Sequence, residues 1–248
     1  MRFSNDQDAS QIGVSTFSRK SVRVQLSACS DPGGGRADQE ASSTIGVGDE
    51  ETEKLRVLVL NEFLRLGRVP TRSELAQRLR IAVSGLDRYL KVLAWEDILV
   101  LSEDGEITAA YPYSALQTMH AVEVERKVLF ANCAVDALGI PFMTGHDAVV
   151  RSECGLCRAP LRIAFEDSRI SFSHPSSIQV WYIPPQPGSA SVTCQCPAIN
   201  FFCNEKHLKG WQSQHLGQIG KSLTLKEAAD HARTTYGNAL QIKCCDRK

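Results

Sequence analysis

From Glu53 onward the chain alternates apolar and polar residues with the period of an amphipathic helix. Leu55, Leu58, Val59, Phe63 and Leu66 fall on one stripe together with Glu62, and Gly67 and Pro70 end it. Thr71 and Glu74 then have the spacing of a capping box, in which a hydroxyl and a carboxylate satisfy orphan amides at a helix start. The helix it opens turns Leu75, Ala76 and Leu79 inward. Ser84 is placed to cap a third, with Leu86, Leu90 and Leu93 at helical spacing. Strand-like runs at 98–102 and 106–111 surround Asp104-Gly105, a pair suited to the left-handed dihedrals of a tight hairpin turn. Three short helices followed by a hairpin predict a winged-helix-like unit over residues 53–118.

The second half, 119–240, has a different texture. Alternation predicts a strand at 122–124, then a helix over 128–138 that stops near Gly139 and Pro141. Strand candidates follow at 148–151, 161–165, 178–183 and 191–194, with Pro184, Pro185, Pro187 and Gly188 marking the loop before the last. Asn200-Phe201-Phe202 leads into a helix over 205–212 on which Leu208 and Trp211 share a face, and a final helix runs from Thr224 to Ala232 or Tyr236. The expected class is α+β, the winged-helix-like unit being followed by a mixed α/β domain with short, mainly antiparallel strands. Residues 1–52 are rich in Ser, Asp, Gln, Gly and Thr and read as a disordered arm, because they bury too little apolar surface to offset ordering entropy.

Charge narrows the partners. The 28 Lys and Arg balance 28 Asp and Glu, so bulk phosphate neutralisation has no basic excess to work with. Arg72, Arg78, Arg80, Arg88 and Lys91 decorate the winged-helix-like unit, but Glu74 and Asp87 dilute them, which argues against nucleic acid as a partner. No apolar run approaches the roughly 20 residues of a membrane span, and the first residues lack the apolar core of a secretory signal. The expectation is a cytoplasmic protein with no membrane partner.

Cysteine is the informative residue. There are nine, an odd number that forbids complete internal pairing, and five fall between Cys154 and Cys203. In a reducing compartment this favours thiol chemistry or metal binding over a disulfide framework. Three constellations stand out. Cys133 and Asp136, three apart on a helix, would share a face among Leu129, Phe130, Val135, Leu138 and Ile140; burial would raise the carboxyl's pKa and make it a proton carrier near neutral pH. Cys154-Gly155-Leu156-Cys157 has the form of a zinc knuckle and could pair with Cys194-Gln195-Cys196, with Cys203 and His207 nearby in sequence. Cys244-Cys245, in a basic tail at 241–248, should have lowered thiol pKa values and could pass on a soft metal ion. The plain alternative for each is a packed or unselected thiol.

Residues 129–142, Leu-Phe-Ala-Asn-Cys-Ala-Val-Asp-Ala-Leu-Gly-Ile-Pro-Phe, resemble the active-site helix of the alkylmercury (organomercurial) lyases. The segment 196–202, Cys-Pro-Ala-Ile-Asn-Phe-Phe, resembles that family's second catalytic segment, with Cys196 at the thiol position. The order of winged helix, hairpin, Cys-x-x-Asp helix, Cys-bearing strand and C-terminal helices matches too, so the resemblance spans about residues 53–240, with 119–240 as the catalytic domain. It implies protonolysis of R–Hg⁺ to R–H and Hg(II), in mercury detoxification. Cys133 and Cys196 would be the two sulfurs on mercury; Asp136 would carry a proton from a thiol to the leaving carbon and then help hold Hg(II). Phe130, Ile199 and Phe202 would exclude water. Cys154 resembles a family cysteine regarded as structural. No cofactor is implied, only low-molecular-weight cellular thiols that release the metal, with mercuric reductase as a further acceptor. The chain departs from the family pattern at Pro197, where a second thiol is frequent, at Asn132, where a larger residue is common, and in the additional thiols Cys157 and Cys194.

Two other classes compete with this reading: a metal-responsive winged-helix regulator that binds DNA, and a non-catalytic zinc- or mercury-binding protein using Cys154, Cys157, Cys194 and Cys196.

Overall fold

The computed structural model describes residues 50–184 and 194–241. Residues 1–49 of the expected arm at 1–52, most of the expected strand at 191–194, and the Cys244-Cys245 pair lie outside the described residues, while residues 50–52 of that arm are helical rather than disordered.

Three helices lead: α1 (Glu50–Leu66), α2 (Arg72–Leu79) and α3 (Val83–Trp95). Helix α1 starts three residues before the periodicity announces it, because Thr52 and Glu53 are buried and belong to its packed face. Glu62, the polar residue on that face, is buried between Arg65 and Arg78 at 2.6 and 2.9 Å, and these partners hold its carboxyl below the usual range. The expected capping box is formed, Thr71 accepting from the Glu74 amide while Glu74 accepts from the Thr71 amide. The expected Ser84 cap is not: α3 begins at Val83 after Ala82, with no side-chain cap, and is held instead by burial of Leu86, Leu90 and Leu93. Arg72 pairs with Asp87, so two of the cations available to a DNA-binding reading, Arg72 and Arg78, are engaged within the unit.

The strands β1 (Leu99–Leu101) and β2 (Ile107–Ala110) form the expected hairpin, with Gly105 at φ +78° in its turn. They continue through β3 (Tyr113–Ser114) into β5 (Lys127–Ala131), β4 (Ala121–Val124), β6 (Ala148–Glu153), β7 (Pro160–Glu166) and β8 (Arg169–His174). The result is one antiparallel sheet in the order β1-β2-β3-β5-β4-β6-β7-β8, unbroken across residue 118. Strand β8 is absent from the expected strands although Ile170 and Phe172 alternate with Arg169, Ser171 and Ser173; all of its residues are exposed or half-buried. Val122 faces Val150, which faces Ile163, giving the sheet its apolar middle. A second, three-stranded sheet has β9 (Gln179–Tyr182) between β10 (Phe201–Phe202) and β11 (Lys221–Thr224).

Three further helices complete the fold: α4 (Ala134–Thr144), α5 (Glu205–Gln214) and α6 (Leu225–Tyr236). The class is therefore α+β with antiparallel sheets. Helix α4 corrects the expected span of 128–138 at both ends. Residues 127–131 are strand β5, where Leu129 and Ala131 are buried while Val128 stays exposed. Gly139 and Pro141 lie inside α4, which ends at Gly145 in the left-handed conformation. A helix interior usually rejects Pro because an amide is lost. Here ten of its eleven residues are buried, and packing on α6 and on β4, β5 and β6 outweighs that cost.

Candidate active site

The N-terminus of α4 organises the site. Cys133 is not on the helix but at its N-cap, in extended conformation, with its sulfur accepting from the Asp136 amide at 3.4 Å. That places Asp136 one turn above the thiol, facing the same point. The second sulfur arrives through backbone pairing: Ala134 donates to the Ile199 carbonyl at 3.0 Å, and Ile199 donates to the Cys196 carbonyl at 3.1 Å. Cys196 thus sits in a single 3₁₀ turn, Cys196–Ala198, rather than on the expected strand, and Pro197 takes an early position in that turn.

These contacts bring the two sulfurs and an Asp136 oxygen to within 4.8 Å of one another, all three residues buried. Cys196 Sγ donates to Asp136 Oδ2 at 3.8 Å, and the Tyr236 hydroxyl donates to Asp136 Oδ1. Tyr236 reaches the carboxyl only because Gly139 has no side chain: a Cβ there would stand 2.1 Å from the tyrosine ring. Sequence reading used Tyr236 as a helix end and missed this contact, since the two residues are 100 apart and only the α4–α6 packing joins them.

Burial sets the electrostatics. It lifts the Asp136 carboxyl to about 6, against hydrogen bonds from Tyr236, Cys133, Asn132 and Cys196 that favour the charged form. Burial also raises Cys133 well above an ordinary thiol, with Cys196 and Asp136 adding to the effect. At Cys196 the hydrogen bond from Cys133 pulls downward, but burial and the Asp136 carboxylate prevail and the thiol is raised. Burial thus favours the neutral form of all three groups. A soft cation reverses this balance, because metal binding displaces thiol protons.

Of the expected apolar screen, Ile199 is buried and Phe130 half-buried, whereas Phe202 packs elsewhere, against Trp211 and under Gly155. The remaining described thiols do not join this site. Cys154, Cys157, Cys203 and His207 form a second group, so the pairing of Cys154 and Cys157 with Cys194 and Cys196 is incorrect. Cys196 is committed to α4, and Cys194, on a helical turn rather than a strand, is in neither group. Within the second group burial raises Cys154, yet amides of Cys157, Cys203 and Leu156 and the His207 side chain reverse this and lower it to about 6. Burial and its neighbours Cys157 and Cys154 push Cys203 up to about 12.

Two buried thiols and a carboxyl raised toward neutrality, within 4.8 Å of one another, make a donor set suited to a soft metal. A family model described as alkylmercury lyase matches residues 113–237, half of the chain, and takes in all three residues. The chain belongs to the alkylmercury lyase family and is an enzyme of carbon–mercury bond cleavage. Alkylmercury lyases of Bacillus cereus and Clostridium butyricum are each 29% identical to it, over 63% and 58% of this chain and 72% and 64% of their own lengths. In fold it is similar to the crystal structure of the mercury-bound form of MerB2, with a TM-score of 0.65 at 21% identity, over 78% of this chain and 99% of that one. Among the described residues no helix is long and apolar enough to cross a membrane.

Proposed function

We propose that the reaction runs on Cys133, Cys196 and Asp136 as follows. R–Hg⁺ enters and exchanges its ligands for the two sulfurs; one thiol proton leaves to solvent and the other passes to the Asp136 carboxylate. Two thiolates on mercury push electron density onto the bound carbon. The protonated carboxyl then gives its proton to that carbon: the C–Hg bond breaks, a C–H bond forms, and R–H departs. Hg(II) remains on the two sulfurs, with the Asp136 oxygen beside it. No electron changes hands, and the charge of R–Hg⁺ is balanced by the proton released.

The observation that carries this reading is the convergence of both sulfurs and the carboxyl within 4.8 Å, all three residues buried. A carboxyl near 6 supports it, since one group must accept and then donate a proton at the same pH. Cellular thiols remove Hg(II) by exchange, passing it onward to mercuric reductase, and a reducing cytoplasm supplies them. In the same reading α1–α3 with the β1–β2 hairpin form a winged-helix-like scaffold at 53–118 that supports the catalytic part at 119–240.

The test is hydrocarbon release, methane or benzene, from methylmercury or phenylmercury with excess thiol. Asp136→Ala is expected to keep mercury binding while cleavage falls by roughly 10²–10⁴-fold, the usual range for a lost acid–base group. Normal cleavage by that variant would remove the proton-carrier role.

A further inference from the structure

The second thiol cluster has no part in the chemistry above, and its geometry is specific. Cys154 Sγ lies 3.6 Å from His207 Nδ1, and Cys157 Sγ lies 3.7 Å from Cys203 Sγ. All four donor atoms fall within 4.8 Å of one another. Tetrahedral zinc, with Zn–S near 2.3 Å and Zn–N near 2.0–2.1 Å, separates two sulfurs by roughly 3.8 Å and a sulfur from a nitrogen by roughly 3.6 Å. The two separations match those edges, and the other four lie within 4.8 Å.

The surrounding backbone is arranged for thiolates. Cys154 directly follows β6 and Cys157 sits in the β6–β7 turn, and the amides of Leu156, Cys157 and Cys203 are directed to the Cys154 sulfur. Gly155 lets that turn press on the Phe202 ring, where a Cβ would come to 2.9 Å, and its amide donates to the Phe201 carbonyl at 2.8 Å. His207 is fixed in the first turn of α5 by its amide, which donates to the Asn204 side chain at 2.9 Å.

We propose that Cys154, Cys157, Cys203 and His207 bind one zinc(II) ion in a closed, structural site. Three sulfurs and an imidazole saturate a tetrahedral ion and leave no position for substrate. The ion would clamp the β6–β7 turn of the large sheet to β10 and α5 of the small one. Since β10 lies between Cys196 and Cys203, the same clamp holds the segment that delivers the second catalytic sulfur.

The test uses the full chain, expressed with zinc in mercury-free medium and purified with a phosphine reductant in place of thiols. Zinc is measured by elemental mass spectrometry. About one zinc per chain is expected, retained by the double variant Cys133→Ala/Cys196→Ala and lowered more than ~10-fold by Cys157→Ser or His207→Ala. Cys157 is exposed, so its replacement leaves the core intact. Cobalt(II) exchanged into the unsubstituted protein should show the intense absorption of a tetrahedral thiolate site. The proposal is overturned by a chain that holds no zinc when reconstituted, by zinc lost with Cys133 and Cys196 instead, by an octahedral cobalt spectrum, or by a Cys157–Cys203 disulfide in protein alkylated at lysis.

Discussion

Among the described residues two clusters of soft donors stand out, and they differ in number of donors, in access and in what stands beside the sulfurs. At α4, two thiols and a carboxyl are all buried, and the acid is the partner of a tyrosine. Around the β6–β7 turn, three thiols and an imidazole range from buried to exposed, with backbone amides directed at one sulfur. A three-donor site leaves a coordination position open and keeps a proton within reach; a four-donor site is filled by its own protein ligands. Softness alone thus does not separate a reactive metal site from an inert one. The separation comes from an unfilled position and an acid whose charge is costly.

The sharpest way to break the comparison is Cys133→Ser, which should lower hydrocarbon release by at least ~10³-fold, the scale on which loss of a bond-making nucleophile is felt. Zinc content should not change. Equal loss of both properties would mean that the clusters are one functional unit.

A thermodynamic contrast comes next. Asp136 is buried with its carboxyl raised to about 6, so the protonated form is the one folding favours. Its contribution is complete below the unfolded value near 3.8 and is lost as pH rises through about 6. Asp136→Asn should therefore stabilise the fold by up to about 3 kcal/mol at pH 8 and by little at pH 4, as read from denaturant midpoints at the two pH values. A stabilisation independent of pH would show that the carboxyl is not held against its charge.

Gly139→Ala probes the packing that brings tyrosine to acid. Its Cβ would overlap the Tyr236 ring, so a loss of about 1–3 kcal/mol is expected together with impaired cleavage. The Tm should fall while zinc stays bound. An unaltered Tm would show that α4 and α6 have slack between them.

The smallest effect is expected from Tyr236→Phe. The hydroxyl's hydrogen bond favours the Asp136 carboxylate, so removing it raises that pKa further. The ascending acid limb of kcat/KM should move to higher pH, with roughly tenfold or smaller loss at neutral pH. A limb that stays in place would assign the tyrosine to packing alone.

Much of this molecule can be read along the chain, for a common reason. The face of α1, the Thr71–Glu74 box and the Asp104-Gly105 turn are local devices whose partners lie within a few residues. The pairing of Cys133 with Asp136 is equally local, although its form, an N-cap beside a helix, is not evident from spacing. Misreading began where burial is complete. A helix apolar on every side has no period to show, so the pattern marks neither end of α4, and its internal proline, which packing tolerates, reads as a stop. The short β8 does alternate, with Ile170 and Phe172 between polar neighbours, but two apolar positions beside a turn are too few to separate a strand from a loop.

Long-range choices were settled by the folded chain. Cys154 and Cys157 look equally ready to meet Cys194 and Cys196 or Cys203 and His207, and no rule of spacing selects between them. The Ala134–Ile199 backbone bond draws Cys196 to the start of α4, while β10 and α5 present Cys203 and His207 to the β6–β7 turn. Residue types therefore announced a soft-metal chemistry, because sulfur and carboxyl carry their reactivity with them wherever they stand. Which sulfurs stand together, and which acid is lifted toward neutrality, depended on burial and on contacts between distant segments, and these exist only once helices and sheets have packed.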